Sequence, residues 1–198
     1  TLNQIDRSNV GKLKLVWSKS LGIGTNGIAP LAHDGVLFVH GGRQIAAFDG
    51  RNGNTIWRRA DVSPARGLTQ PRGLALYADK LYAATVNNHL LAIEARTGKL
   101  VWERVIGDKG SLTAAPLAAN GKIFQGAATC AVTGARCYMV ALDANSGEEI
   151  WRFDTVPADG APGSKSWNGA PASQRGGAGV WSAASYDYVN DRVIFGTG

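Results

Sequence analysis

Apolar and polar positions along the chain fall into short blocks, either alternating or as unbroken apolar runs, each folded around a turn signal. APLAHDGVLFVH, RGLALYADKLYAAT, APLAANGKIFQG and SAASYDYVNDRVIFGTG all read this way, with turns such as Asp34-Gly35 and Asn120-Gly121 at their centres. Each predicts a β-hairpin. Between them runs a second pattern, AAFDGRNGNTIW ending at Trp57, LAIEARTGKLVW at Trp102 and VALDANSGEEIW at Trp151. In all three an acidic residue (Asp49, Glu94, Asp143) is followed four positions later by glycine (Gly53, Gly98, Gly147) and four after that by tryptophan. This predicts another hairpin, in which the acidic side chain accepts backbone hydrogen bonds in the turn and the glycine takes positive φ.

The tryptophans are 45 and 49 residues apart, and a partial member, KLKLVW, ends at Trp17, 40 residues before the first. Four strands per repeat of that length is the period of a propeller blade. The expected fold is therefore all-β, a β-propeller of about three and a half blades with a trailing strand pair at Tyr186 to Phe195. Residues 1–198 are read as one partial propeller domain, because a propeller must close to hide its strand edges and this number of blades leaves an incomplete ring. The rest of the ring is expected from a longer chain or from a partner. Trp17, Trp57, Trp102 and Trp151 are assigned to packing between blades; Trp167 and Trp181 lie outside the repeat.

Composition agrees with this pattern. Glycine supplies 26 of 198 residues, about twice the usual share, and charged residues only 18%, which favours a turn-rich β fold over a helical bundle. The net charge of +6 comes from basic residues scattered singly or in pairs such as Arg58-Arg59, without the clustering that a nucleic-acid surface needs. No apolar run has the length of a membrane span. The opening at Thr1, without Met or a leader-type apolar segment, predicts a processed chain or an excised piece. Cys130 and Cys137 are seven positions apart with no His or carboxylate at metal-ligand spacing, which favours a local disulfide in an oxidising compartment over two free thiols. His33, His40 and His89 stand apart at turns or strand ends and are read as structural or solvent-facing.

The repeat, best seen as AIEARTGKLVW, resembles the tryptophan-docking motif of the pyrroloquinoline quinone (PQQ) dependent alcohol dehydrogenases, whose fold is an eight-bladed propeller. QIDRSNVGKLKLVW resembles the mature N-terminal region of that family, and RGGAGVWSAASYDYVNDRVIFGTG its segment G-G-x-x-x-W followed by Y-D and F-G-T-G-N. The resemblance implies that Trp181 floors a cofactor pocket with its indole against the planar quinone. It implies that Arg72, in QPRGLALY, offers its guanidinium to PQQ, and that Thr113, in SLTAAP, hydrogen-bonds a PQQ carboxylate. It further implies a periplasmic enzyme that oxidises an alcohol or sugar-like hydroxyl and passes electrons to a cytochrome c or another acceptor.

The same resemblance fails at specific positions. The family places a glutamate where NGIAP has Gly27, an acidic cation ligand after Gly-Ala where GAATCAVTGARC has no carboxylate, and adjacent cysteines before Arg-Gly where RGLTQPRG has none. The family's Ca²⁺ or lanthanide ion therefore has no assigned ligands here. The asparagine after F-G-T-G and the catalytic aspartate would both fall beyond Gly198, so no catalytic residue is assigned within the chain. Two other readings remain, a non-enzymatic propeller that presents its edges to protein partners and a variant resembling polyvinyl-alcohol dehydrogenase, suggested by GVWSA.

Overall fold

The computed structural model describes residues 4–21, 28–41, 44–60, 72–85, 87–107, 110–129 and 136–198. Fourteen strands and three short 3-10 turns are formed among them. Strands β1 (Leu31–His33), β2 (Val36–Gly41), β3 (Gln44–Asp49) and β4 (Thr55–Ala60) pair in that order as one antiparallel sheet. The second sheet repeats the arrangement with β5 (Leu74–Tyr77), β6 (Lys80–Ala84), β7 (His89–Glu94) and β8 (Leu100–Val105), and the third with β9 (Leu117–Ala119), β10 (Lys122–Gly126), β11 (Tyr138–Asp143) and β12 (Glu149–Asp154). A strand pair, β13 (Ser185–Asp187) with β14 (Arg192–Ile194), begins a fourth. This is the β-propeller expected from the repeat, with three complete blades and part of another.

The burial pattern explains the block-like hydrophobicity. A middle strand has a neighbouring blade on each face, so successive side chains are all buried and the sequence reads as a run. In β6, Leu81 and Ala83 join a core with Phe38, Ile45 and Trp57 of the first blade, while Tyr82 and Ala84 join one with Ile123, Tyr138 and Val140 of the third. The Tyr82 hydroxyl donates to the Ala144 carbonyl at 3.0 Å, and burial pushes its pKa up to about 12. The outer strands β4, β8 and β12 are mostly exposed except at the tryptophan.

Each blade carries the same irregularity between its third and fourth strands, a register shift at Ala47/Phe48, Ala92/Ile93 and Ala141/Leu142. The shift sets Trp57, Trp102 and Trp151 opposite Ala47, Ala92 and Ala141. From there Trp57 and Trp102 reach the next blade, as Trp17 does from ahead of β1. Trp17 Nε1 donates to the Gly50 carbonyl, Trp57 Nε1 to Ala95 and Trp102 Nε1 to Ala144, at 2.8 to 3.0 Å. The ring lies flat on the motif glycine: a Cβ on Gly98 would sit 2.7 Å from Cδ2 of Trp57, and φ there is +75°.

Two independent penalties therefore act on Gly98→Ala, the left-handed backbone and collision with the indole, together about 2–5 kcal/mol. Gly121 has the same kind of backbone, φ +73°, with open space where a Cβ would go, so Gly121→Ala meets only the first, about 1–2 kcal/mol. Urea unfolding of the full-length protein should rank the two variants in that order. Equal losses would show that the indole contact does not decide blade docking.

Candidate functional site

The chain enters each blade at its innermost strand, and the residues just before those strands meet around the axis. Arg72 precedes β5, Thr113 precedes β9 and Trp181 precedes β13. The Arg72 N–H donates to the Thr113 carbonyl at 3.0 Å, and the Arg72 carbonyl accepts the Ala29 N–H at 3.0 Å. A continuous backbone ladder thus ties the entries of three successive blades. Gly73 permits this approach, since a Cβ there would lie 3.2 Å from that of Ala115.

Trp181 is set by the neighbouring residues. Val180 is fully buried, its N–H donates to Ala127 at 2.9 Å, and it packs so closely on Gly126 that a Cβ on that glycine would fall 2.4 Å from Val180 Cγ1. Gly179 exchanges two backbone hydrogen bonds with Gly198, which passes beside Trp181 Nε1. With Val180 anchored inward, the alternation of the extended chain turns Trp181 outward, where it is 48% exposed.

The three residues named from the sequence are brought together. The Arg72 guanidinium lies over the Trp181 ring, 4.9 Å from its centroid, and its Nη1 donates to the Trp181 carbonyl at 3.4 Å. Such a cation over an indole face is attracted by the ring quadrupole and is strongest where water is excluded. Thr113 is 6% exposed and shares the ladder through its carbonyl. An exposed aromatic plate with a guanidinium beside it suits a flat, conjugated, anionic guest: the ring supplies apolar area and orientation, and the planar donors a carboxylate partner. PQQ has both properties, so the residues present fit it.

A metal ion is less well provided for. After Gly126 the chain offers Ala127, Ala128 and Thr129, with the Thr129 hydroxyl 2.8 Å from that of Ser111. Among the described residues no three His, Cys, Asp or Glu side chains are grouped to hold a metal. Gly27 and the segment RGLTQP up to residue 71 lie outside the described residues, as does Cys130, while its expected partner Cys137 is buried ahead of β11. The histidines are less isolated than their spacing suggests: His33 Nε2 lies 3.3 Å from Asp34, and His89 Nδ1 contacts Glu103.

Sequence reasoning passed over Arg175. Its guanidinium, 4% exposed, ion-pairs with Asp159 at 3.0 Å and donates to the carbonyls of Pro157 and Ala170 at 2.6 and 2.9 Å. Asp159 also accepts the Ala172 N–H, and the Thr155 hydroxyl donates to the Ala178 carbonyl at 2.7 Å. These bonds brace the long excursion between β12 and Trp181. The only linear sign of it is one arginine beside Gly176-Gly177 in a charge-poor stretch.

A family model described as the PQQ glucose/ethanol/alcohol dehydrogenase β-propeller domain matches residues 1–198. The chain is 36% identical to the quinohemoprotein alcohol dehydrogenase ADH IIB of Pseudomonas putida, over 100% of its own length and 31% of that protein's. Among solved structures, that of the quinohemoprotein alcohol dehydrogenase ADHIIG from Pseudomonas putida HK5 superposes with a TM-score of 0.86 at 30% identity, covering 100% of this chain and 32% of that one. A europium-containing methanol dehydrogenase superposes with a TM-score of 0.85 at 26% identity, covering 99% and 39%. The chain spans about a third of the length of these relatives.

Arg175→Ala should loosen the brace without unfolding the blades. Buried carbonyls left without donors cost about 1–3 kcal/mol, so opening of the excursion becomes about 5- to 150-fold more frequent. Limited trypsin digestion of the full-length protein should show correspondingly faster cleavage after Lys165. An unchanged rate would mean that the excursion is held by other contacts.

Proposed function

The chain belongs to the PQQ glucose/ethanol/alcohol dehydrogenase β-propeller family, and from that premise we propose that the full-length protein is a periplasmic PQQ-dependent dehydrogenase that oxidises an alcohol or sugar-like hydroxyl and hands the electrons to a cytochrome c or another acceptor. The observation that carries the reading is the placement of the Arg72 guanidinium over the exposed face of Trp181 at the convergence of the inner strands. Trp181 would carry the quinone plane, Arg72 would pair with its oxygens or a carboxylate, and Thr113 would complete that edge. When bound, PQQ supplies the two-electron acceptor that protein side chains lack.

The part played by this chain is binding and orientation. Because Arg72 is held through its backbone on both sides, its side chain can swing while its origin stays fixed, so it can leave the indole face to a flat guest and remain at the guest's edge. Blades beyond Gly198 would supply the opposite wall and exclude water. The general base and the ligands of a Ca²⁺ or lanthanide ion belong, in this reading, to residues outside those described. A Cys130–Cys137 disulfide would be consistent with an oxidising compartment. A non-enzymatic scaffold is the second reading, favoured by Ala127, Ala128 and Thr129 standing where the family carries a carboxylate.

Titration of PQQ into the full-length apo-protein, followed by quinone absorbance with Ca²⁺ or a lanthanide present, tests the two. Saturable binding is expected, and Trp181→Ala should weaken it by about 1–3 kcal/mol, or about 5- to 150-fold in Kd, the range for stacking on one aromatic plate. Failure of the wild-type protein to bind would remove the dehydrogenase reading and leave the scaffold. Unaltered binding by the Trp181 variant would place the quinone elsewhere.

A further inference from the structure

The seams between blades are not equivalent at the face opposite the candidate cofactor site, where the hairpin turns lie. Between the second and third blades, the Tyr77 hydroxyl accepts the Gly121 N–H at 3.0 Å and the Tyr82 hydroxyl reaches Ala144. Between the third and fourth, Asn120 Nδ2 donates to Tyr186 and Asp191, at 3.2 and 3.3 Å, and Phe124 stacks on Tyr186 at 5.7 Å. Both seams are closed by side chains that cross them.

The first seam has different residues at the same places. Taking the positive-φ turn residues Asp34 and Ala78 as the common reference, Tyr77 corresponds to His33 and Tyr82 to Phe38. His33 turns to its neighbour Asp34, and Phe38 has no hydroxyl to span the gap. A crevice of about 460 Å³ is left open beside the docked Trp57, with Val36, Phe38 and Leu76 among its apolar walls and Asp34, Asp79 and Arg96 among its charged lining. That volume is within the usual range of small-molecule sites.

Its electrostatics select the guest. Asp79 is held by Lys80 at 2.7 Å, and Asp34 faces His33, so both carboxylates already have cationic or polar partners. Arg96 has no ion pair among the described residues. The uncommitted charge beside the apolar walls is therefore positive and planar. We propose that this crevice binds a small amphipathic carboxylate, with its apolar or aromatic body against Val36, Phe38 and Leu76 and its anionic head on Arg96. The site lies at the far end of β5 from Arg72, so it is distinct from the pocket formed with Trp181.

Isothermal titration of the full-length protein with 4-phenylbutyrate, and with 4-phenylbutyramide as its neutral counterpart, tests the assignment. The carboxylate should bind saturably and more tightly than the amide. Arg96→Gln, an exposed substitution, should weaken the carboxylate by about three- to tenfold and leave the amide unchanged. His33→Tyr supplies the phenol that closes the neighbouring seam and should abolish binding of both, with thermal unfolding checking that the variant is folded. Absence of saturable binding to the wild-type protein overturns the proposal, as does a carboxylate affinity insensitive to Arg96→Gln or to His33→Tyr.

Discussion

An indole laid flat on a left-handed glycine is the contact on which the rest of this molecule depends. Trp17 on Gly53, Trp57 on Gly98 and Trp102 on Gly147 repeat one geometry, with the indole N–H donated to a carbonyl of the same turn. The glycine removes a Cβ that would collide with the ring, and its positive φ lets the turn present its backbone to the neighbour. One large apolar surface and one directed hydrogen bond thereby fix both the separation and the angle of adjacent blades. The register shift before Trp57 and before Trp102 belongs to the same device, because it brings the side chain into position.

Fixing the outer strands determines what happens at the axis. Blades locked at one radius bring their first strands together, and the approach is close enough for backbone groups of Ala29, Arg72 and Thr113 to bond across blades. Residues more than a hundred positions apart in sequence, Arg72 and Trp181, then come into contact through a guanidinium and a ring face. The buried Val180 and the braced excursion around Arg175 hold that ring at the surface, so the candidate pocket is presented by braced elements.

The same repeat position performs different work in successive seams. A tyrosine before the turn closes one seam, while a histidine leaves another open, although the surrounding strands and the docked tryptophan are alike. Substitution at such positions alters the surface between blades at little cost to the fold, since core contacts such as those of Ile45, Leu81 and Ile93 persist beneath. A repeated scaffold can in this way carry a site at each end of its strands.

Strand order, blade period and the roles of the docking tryptophans were legible in the sequence because they depend on local patterns: runs of apolar residues, turns and a spaced Asp/Glu, Gly and Trp. Trp181, Arg72 and Thr113 could be named from motif resemblance, but no linear pattern says that the guanidinium lies on the indole, that Thr113 enters through its carbonyl, or that Arg175 braces the approach. Those depend on which residues three blades bring to a common axis. The open first seam is likewise invisible in one dimension, since His33 and Phe38 are ordinary residues in their own strand and acquire meaning only beside Ala78 and Asp79 of the next. The sequence by itself determined the blade, because a blade is stabilised by neighbours along the chain; the tertiary structure alone decided the candidate sites, because each is made where blades meet and no single blade contains it.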